Sequence, residues 1–268
     1  MKRTYIGLLA IVGIAAFLLT PSSAFAQINL GTSQSFAVLG GSTVTNTGAS
    51  VITGNLGVSP GSSVTGFPPG IVTGGAIHAA DGVAAQAQSD LTTAYNAAAG
   101  IPCGVDLTGQ DLGSVGTLTP GVYCFTSSAA LTGTLTLNFQ GNPNALFLFK
   151  IGSTLTTASG SSVVLTNTGG TTCPTNLFWQ VGSSATLGTG STFAGNILAL
   201  TSITITTGAG VTGRALARNG AVTLDTNTVT TSACAGAPNI PALDPVGLMI
   251  LMILLAGAGV FVIKRVAS

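Results

Sequence analysis

The feature that most constrains the fold is an internal repeat of Thr-Gly turns and short alternating strands. Residues 47–58, 189–200 and 207–218 share one order: Thr-Gly, small and apolar residues, a further Gly, then an alternating strand. Residues 157–163 are a looser copy and residues 226–229 a truncated one. A period near 18 residues, with a turn signal every few residues, predicts stacked coils of three short strands, whose inward apolar residues form ladders.

The alternation within the repeats predicts which side chains face inward. We expect a mainly β protein in which Ala145–Ile151 is a buried strand and Leu131–Phe139 alternates apolar and hydroxylated residues. Trp179 and the phenylalanines lie mainly in apolar strands and are expected in the core. The inward candidates along the repeats are Leu155, Val163, Leu165, Leu187, Phe193, Ile197, Ile203, Ile205, Val211, Leu216, Val222 and Leu224.

One segment departs from the β pattern and predicts a helix over about residues 79–99. It is rich in alanine, and its apolar residues recur at helical spacing. Asp81 lies near its start, where a carboxylate suits the helix dipole, and Gly100 and Pro102 end it. The predicted buried stripe consists of Val83, Ala87, Leu91, Ala94, Tyr95 and Ala98.

Charge is scarce, which excludes several functions. Charged residues make up 5% of the chain, glutamate is absent, and Lys150, Arg214 and Arg218 are the only bases between the two terminal segments. A nucleic-acid partner would require a basic face. With no clustered acids and bases and no Cys-x-x-Cys pair, we expect no enzyme activity, no metal site and no cofactor. His78 has no evident partner, so a structural or capping role is favoured. Arg214 or Arg218 is expected to form a structural pair with Asp225.

The N-terminal segment, residues 1–26, is typical of a secretory signal peptide. Lys2 and Arg3 precede an apolar stretch, and Ala24-Phe25-Ala26 offers a small-x-small cleavage site before Gln27. An uncleaved N-terminal anchor is the alternative. The central domain is predicted to span residues 27–234.

The C-terminal end predicts a sorting or anchoring segment. A linker and motif at residues 235–245 precede residues 246–268, where 18 uncharged residues are followed by Lys264 and Arg265. This layout resembles the sorting signals of the IPTL and PEP type, which an exosortase-like enzyme cleaves. Ile240-Pro241 and Leu243 fit that motif, whereas Ala242 and Asp244-Pro245 depart from it. The alternative is a plain membrane anchor.

Four cysteines, Cys103, Cys124, Cys173 and Cys234, suit an exported protein with two disulfides. Three pairings are possible. Closeness in the chain favours Cys103–Cys124, which leaves Cys173–Cys234.

The outward side of the coils is predicted to carry small and β-branched residues. Adjacent strands lie about 4.7–4.9 Å apart, so Thr157, Thr189, Thr207 and Thr226 are expected to form one rank. A second rank is expected from Ser159, Ser191, Ala209 and Thr228. Such an uncharged array of methyls and hydroxyls suits the ordering of water. Threonine is also simply a good strand residue, so a purely structural solenoid is the alternative.

Several longer strings resemble the microbial ice-binding-like family. They are Phe36–Val44, Leu56–Gly61, Asn142–Phe149, Asn176–Gly182, Gly195–Ala199 and Gly213–Leu224, so the resemblance covers residues 28–232. It implies a right-handed, three-faced, discontinuous β-solenoid with one long helix alongside. It also implies a flat face that binds ice, on which some members carry Thr-(Ala/Gly)-x-(Thr/Asn).

This motif is fully matched by residues 189–192 and partly by residues 47–50, 157–160 and 207–210, where the last position is Gly or Ser. The predicted ice-binding residues are Thr47, Ala49, Thr157, Ser159, Thr189, Ser191, Thr192, Thr207, Ala209, Thr226 and Thr228. The expected partner is the surface of an ice crystal, and we expect a monomer. A surface adhesin or matrix protein without ice binding is the competing hypothesis.

Overall fold

The computed structural model describes residues 28–170 and 175–231. Within them the chain forms a short 3-10 helix η1 (Gly31–Ser35), an α-helix α1 (Gly82–Gly100) and strands that we number in chain order. Before α1 lie β1 (Phe36–Gly40), β2 (Thr43–Thr47), β3 (Val51–Thr53), β4 (Asn55–Val58), β5 (Ser63–Thr65), β6 (Ile71–Thr73) and β7 (Ile77–Ala79).

The remaining strands follow α1. They are β8 (Val105–Asp106), β9 (Thr117–Leu118), β10 (Gly121–Phe125), β11 (Ala129–Leu131), β12 (Thr134–Asn138), β13 (Phe147–Ile151), β14 (Leu155–Thr157), β15 (Ser162–Thr166), β16 (Leu177–Val181), β17 (Ala185–Leu187), β18 (Thr192–Ala199), β19 (Ile203–Ile205), β20 (Gly210–Ala217), β21 (Val222–Asp225) and β22 (Thr228–Thr230).

These strands pair in parallel and build the predicted β-solenoid with three faces. The helix-covered face has the order β7-β4-β1-β20-β18-β16-β13-β10-β8, and the open face has the order β11-β14-β17-β19-β21-β2-β5. The third face contains β9, β12, β15, β22, β3 and β6. The long strands β18 and β20 turn the corner between the third and helix-covered faces, because their first halves pair with the former and their second halves with the latter.

The stacking order differs from the chain order at one place, which makes the solenoid discontinuous. The last coil, β20 to β22, is followed in space by β1, β2 and β3, which come from the start of the chain. The strands β4, β5 and β6 stack beyond these. Helix α1 then leads from β7, at one edge of the helix-covered face, to β8 at the other.

The interior confirms most of the predicted inward residues. All twelve candidates are buried except Leu165, which is half-buried. Leu216 lies under α1 and not inside the coils. Trp179 is fully buried and stacks on Phe149, with ring centroids 4.0 Å apart. Its indole N–H donates to the carbonyl of Ala194 over 3.0 Å, so the one polar atom of this side chain is satisfied.

Helix α1 begins three residues later than predicted, since Ala79 belongs to β7. Asp81 is its N-cap and accepts the backbone N–H of Ala84 over 2.8 Å. The prediction that Val83 is buried is wrong, because it is 48% exposed. Ala84 and Gln88 are buried instead, together with the other five residues of the predicted stripe. The helix thereby seals the outer side of one face.

The structure also corrects the predictions for the ionisable residues. Arg214 does not pair with Asp225: it is buried and donates to the carbonyl of Gln34 and to Oδ1 of Asn196. Burial lowers the pKa of its guanidinium to about 10. His78 has a partner after all, because its Nδ1 lies 2.7 Å from Oδ2 of Asp81.

Of the two predicted disulfides, Cys103–Cys124 is formed and ties the end of α1 to β10. Cys173 and Cys234 lie outside the described residues. So do the predicted signal peptide and the predicted C-terminal segment. Among the described residues, α1 is not apolar enough for a membrane span, and no other helix there is long enough.

Candidate functional site

The open face is the most regular outer surface of the described structure. Its seven strands pair without interruption from β11 to β5. The helix-covered face is closed by α1, where Leu91 and Ala94 pack with strand residues such as Leu148. The third face is less even: β15 meets β18 at a single residue pair, and Ile71 and Val164 project from it, 50% and 41% exposed. The open face therefore has the most continuous strand pairing among the exposed faces of the described structure.

A column of threonines runs across the middle of the open face. One outward threonine from each of six neighbouring strands is in register with the next, in the order Thr156, Thr186, Thr204, Thr223, Thr45 and Thr65. We call these six residues the central threonine column. The five steps of about 4.8 Å give it a length of roughly 24 Å. At its β11 end the column continues with Ala130.

Local sequence explains why each of these threonines faces outward. In β14, β17, β19 and β21 the threonine is flanked by an inward residue on either side, as Thr204 is by Ile203 and Ile205. Successive side chains in a strand point to opposite sides. Burying the two flanking residues therefore forces the threonine to the surface, and its branched side chain has few rotamers to lose there.

The hydroxyls of the column are largely free to bind water. Among the described residues its one side-chain hydrogen bond joins Thr45 to Thr223, over 3.4 Å. Each threonine is exposed or half-exposed. The column therefore presents methyl and hydroxyl groups at the spacing of the strands, on a backbone that the ladder hydrogen bonds hold rigid.

Small hydroxylated residues flank the column and keep the face even. Two residues before the column lie Ser128, Thr154, Ser184 and Ser202, whose backbone carbonyls or side chains bond from coil to coil. The hydroxyl of Thr154, for instance, donates to that of Ser128 over 2.8 Å. No aromatic or long side chain lies within the seven strands of this face, as far as they are described.

The structure does not bring the predicted ranks together as expected. The prediction that Thr157 lies beside Thr189 is wrong, because Thr156 pairs with Thr186 and Thr157 therefore falls at the level of Leu187. Thr157 is 3% exposed, and its hydroxyl accepts the N–H of Gly188. Matching the repeats by their Thr-Gly or Thr-Ala dipeptides places Thr157 opposite Thr189. The strand register is two residues different, because Thr156 pairs with Thr186.

The other members of the predicted first rank lie at the corner between the open and third faces. Gly190 and Gly208 turn the chain there with φ of +64° and +70°, a region that favours glycine. Thr189 and Thr207 precede these glycines and are exposed. Thr226 itself takes the left-handed conformation, with φ of +54°, because its turn is one residue shorter.

The second predicted rank and the remaining predicted ice-binding residues divide between the interior and two surfaces. Ser191 and Ala209 are buried at the corner, so neither can meet a surface ligand. Ser159 and Ala49 are exposed in corner turns. Thr192 and Thr228 lie on the third face, each in register with Gly210. Thr47 ends β2 on the open face, opposite Asp225. For the exposed residues among them, a role in ligand binding stays a prediction.

The sequence prediction missed the central threonine column entirely. The signal was present as a threonine between two inward residues, as in Ile203-Thr204-Ile205 and Val222-Thr223-Leu224. The Thr-Gly turns repeat more conspicuously than these three-residue strands and therefore dominate the sequence pattern. Turns, however, mark corners, and the strands between the turns make the flat surface.

Comparison with protein families gives one match, which spans residues 38–230 and is to the family described as Ice-binding-like. A protein of Nostoc sp. (strain HG1) named Ice-binding protein is 60% identical over 246 residues, which cover 91% of this chain and 88% of that protein. The ice-binding protein of Leucosporidium sp. (strain AY30) is 33% identical over 238 residues, 81% of this chain and 85% of that protein.

Solved structures agree with these relatives. The crystal structure of an ice binding protein from an Antarctic Biological Consortium matches with a TM-score of 0.72 and 49% identity, covering 76% of this chain and 90% of that one. The structure of an ice-binding protein from the Antarctic ascomycete Antarctomyces psychrotrophicus matches with a TM-score of 0.71 and 41% identity, covering 76% and 98%.

Proposed function

Because the chain belongs to the ice-binding-like family, we propose that it adsorbs to ice through its open face, with the central threonine column in the middle of the contact. The observation that carries this proposal is the register of six outward threonines on six neighbouring strands. The names of the relatives point to ice as the ligand. The regular spacing of the column supports the open face as the contact surface.

The physical basis is the match between a rigid array and a lattice of water. The methyl groups of the column favour clathrate-like water around them, and the hydroxyls anchor that water at fixed spacing. Threonine suits this because its χ1 is already restricted, so little entropy is lost when the water layer orders. Side chains that project or carry charge would interrupt the layer.

We further propose that the protein acts outside the cytoplasm, either secreted or held at the cell surface. The sequence of residues 1–26 supports export, and the Cys103–Cys124 disulfide is a bond that persists in oxidising compartments. Residues 235–268 would then carry the processing signal or the anchor. The ice-binding domain itself needs neither, since its contact surface is complete within the solenoid.

The test is a set of tyrosine substitutions on matched exposed threonines. Thr204→Tyr places a bulky ring in the middle of the open face, whereas Thr192→Tyr does so on the third face and Thr93→Tyr on the solvent side of α1. We expect Thr204→Tyr to remove most thermal hysteresis and ice recrystallisation inhibition, and the other two to leave both close to wild type.

Circular dichroism and thermal unfolding serve as the folding control for all three variants. Wild-type protein without either activity at high micromolar concentration would contradict ice binding itself. A folded Thr204→Tyr variant with full activity, beside an inactive Thr192→Tyr variant, would move the contact from the open face to the third face.

A further inference from the structure

We propose that Asp225 limits the extent of the ice-binding face. It lies at the corner between the open and third faces and weakens adsorption to ice there. This inference rests on the proposed function. Asp225 is the one ionisable residue in the seven described strands of the open face. Asp111 lies outside those strands, in an isolated bridge with Ala130 at the edge.

The position of Asp225 interrupts a second line of hydroxylated residues. At three neighbouring strands the chain continues past the column threonine, and the residue two positions later again faces outward. These residues are Thr206 after β19, Asp225 at the end of β21 and Thr47 at the end of β2. Asp225 is opposite Thr47 and follows the inward Leu224, so its side chain is on the same side of the sheet as Thr223. A threonine in its place would make three consecutive threonines beside the central column.

The carboxylate of Asp225 also engages the hydroxyls of two threonines at the corner. Its two oxygens accept hydroxyl hydrogen bonds, Oδ2 from Thr207 and Oδ1 from Thr226, the latter over 3.1 Å. These hydroxyls therefore donate to Asp225 and do not offer their protons to surface water. We therefore expect these two exposed corner residues to contribute little to a water-ordering array.

The remaining hydration of the carboxylate opposes a lattice-like water layer. A carboxylate has about four acceptor sites, of which two hydroxyls fill only two. Asp225 is half-exposed, so water occupies the rest. Water around a carboxylate points its protons at the negative charge, which differs from the four-coordinate arrangement of ice. The face is thus well matched to ice along the central column and poorly matched at this corner.

The experiment compares Asp225→Thr and Asp225→Asn with Asp106→Asn. The first restores the threonine line, the second removes the charge at constant size, and the third makes the same charge change on β8, away from the open face. We expect both Asp225 variants to lower the concentration that stops ice recrystallisation by about threefold, a modest change of the order found for exposed electrostatic contacts such as surface ion pairs. We expect Asp106→Asn to leave this concentration unchanged.

A double-mutant cycle adds a second readout. Thr207→Val removes one donor and leaves the charge, so it should weaken inhibition in the wild-type background and have no effect beside Asp225→Asn. Folded Asp225 variants with unchanged or weaker inhibition would overturn the inference, as would an equal gain in Asp106→Asn. If the wild type is active, either result leaves the proposed function intact. An inactive wild type would contradict both the proposed function and the inference about Asp225.

Discussion

Thr45 and Thr223 are 178 residues apart in the chain and yet are direct neighbours on the open face, where the hydroxyl of Thr45 donates to that of Thr223 over 3.4 Å. The contact lies at the point where the N-terminal strands stack on the last coil. The proposed ice-binding surface therefore continues across the break in the solenoid without a gap in its register.

This continuity predicts that the two sides of the break act as one surface. Thr45→Tyr and Thr223→Tyr should each reduce thermal hysteresis to a similar extent, and the double variant should lose little more than either one, because either ring already lifts the face from the ice. Thr93→Tyr, on α1, is the control for added bulk. Additive losses in the double variant would show that the two threonines contact ice independently.

The buried position of Trp179 beside Phe149 predicts that even a conservative substitution, Trp179→Phe, lowers the free energy of unfolding. Trp179→Phe removes the indole N–H that satisfies the carbonyl of Ala194 and leaves a void in a fully buried site. We expect a loss of about 2 kcal/mol in the free energy of unfolding. Denaturant titration followed by circular dichroism measures it, because Trp179 is the single tryptophan of the chain and fluorescence is lost with it.

The exposed Val164 provides the matching control, since Val164→Ala should change stability by less than about 0.5 kcal/mol. Equal midpoints for wild type and Trp179→Phe would mean that neither the indole N–H bond nor the volume of the indole ring stabilises the interior.

The carboxylate of Asp90 predicts a pH dependence. The Thr32 hydroxyl, above all, and then the Thr32 N–H and the Gln86 amide donate to it, which lowers its pKa below 3.8, against the opposing effect of burial. In the unfolded chain Asp90 binds a proton more readily. Its contribution to stability is therefore present above about pH 3.8 and is lost as the pH falls through and below that value.

Thermal unfolding between about pH 6 and about pH 2.5 tests this contribution. Thr32→Val removes the strongest donor while it keeps the shape, so it should lower the melting temperature near neutral pH and reduce the further loss on acidification. Wild-type and Thr32→Val curves that run parallel down to the lowest pH would contradict the role assigned to this contact, which ties η1 to α1.

The class of fold and most of the interior follow from the sequence alone. The alternation of apolar and hydroxylated residues fixed which side chains face inward, as at Leu187, Ile203 and Val211, because burying apolar area outweighs other local preferences. The helix was predicted for the same reason, from its spaced apolar residues. Its start at Gly82 was missed by three residues, since Ala79 pairs with Val58 in a strand.

The register between coils and the stacking position of the N-terminal strands depend on long-range contacts that no local pattern encodes. When a turn gains or loses one or two residues, the local sequence pattern of the strands does not change. The pattern therefore predicts an outward position for both Thr157 and Ser159. Pairing with β17 assigned Thr157 to the interior. Likewise, nothing local says that β2 stacks on β21. That contact forms because the end of the last coil offers unpaired strand edges, and the N-terminal strands satisfy them.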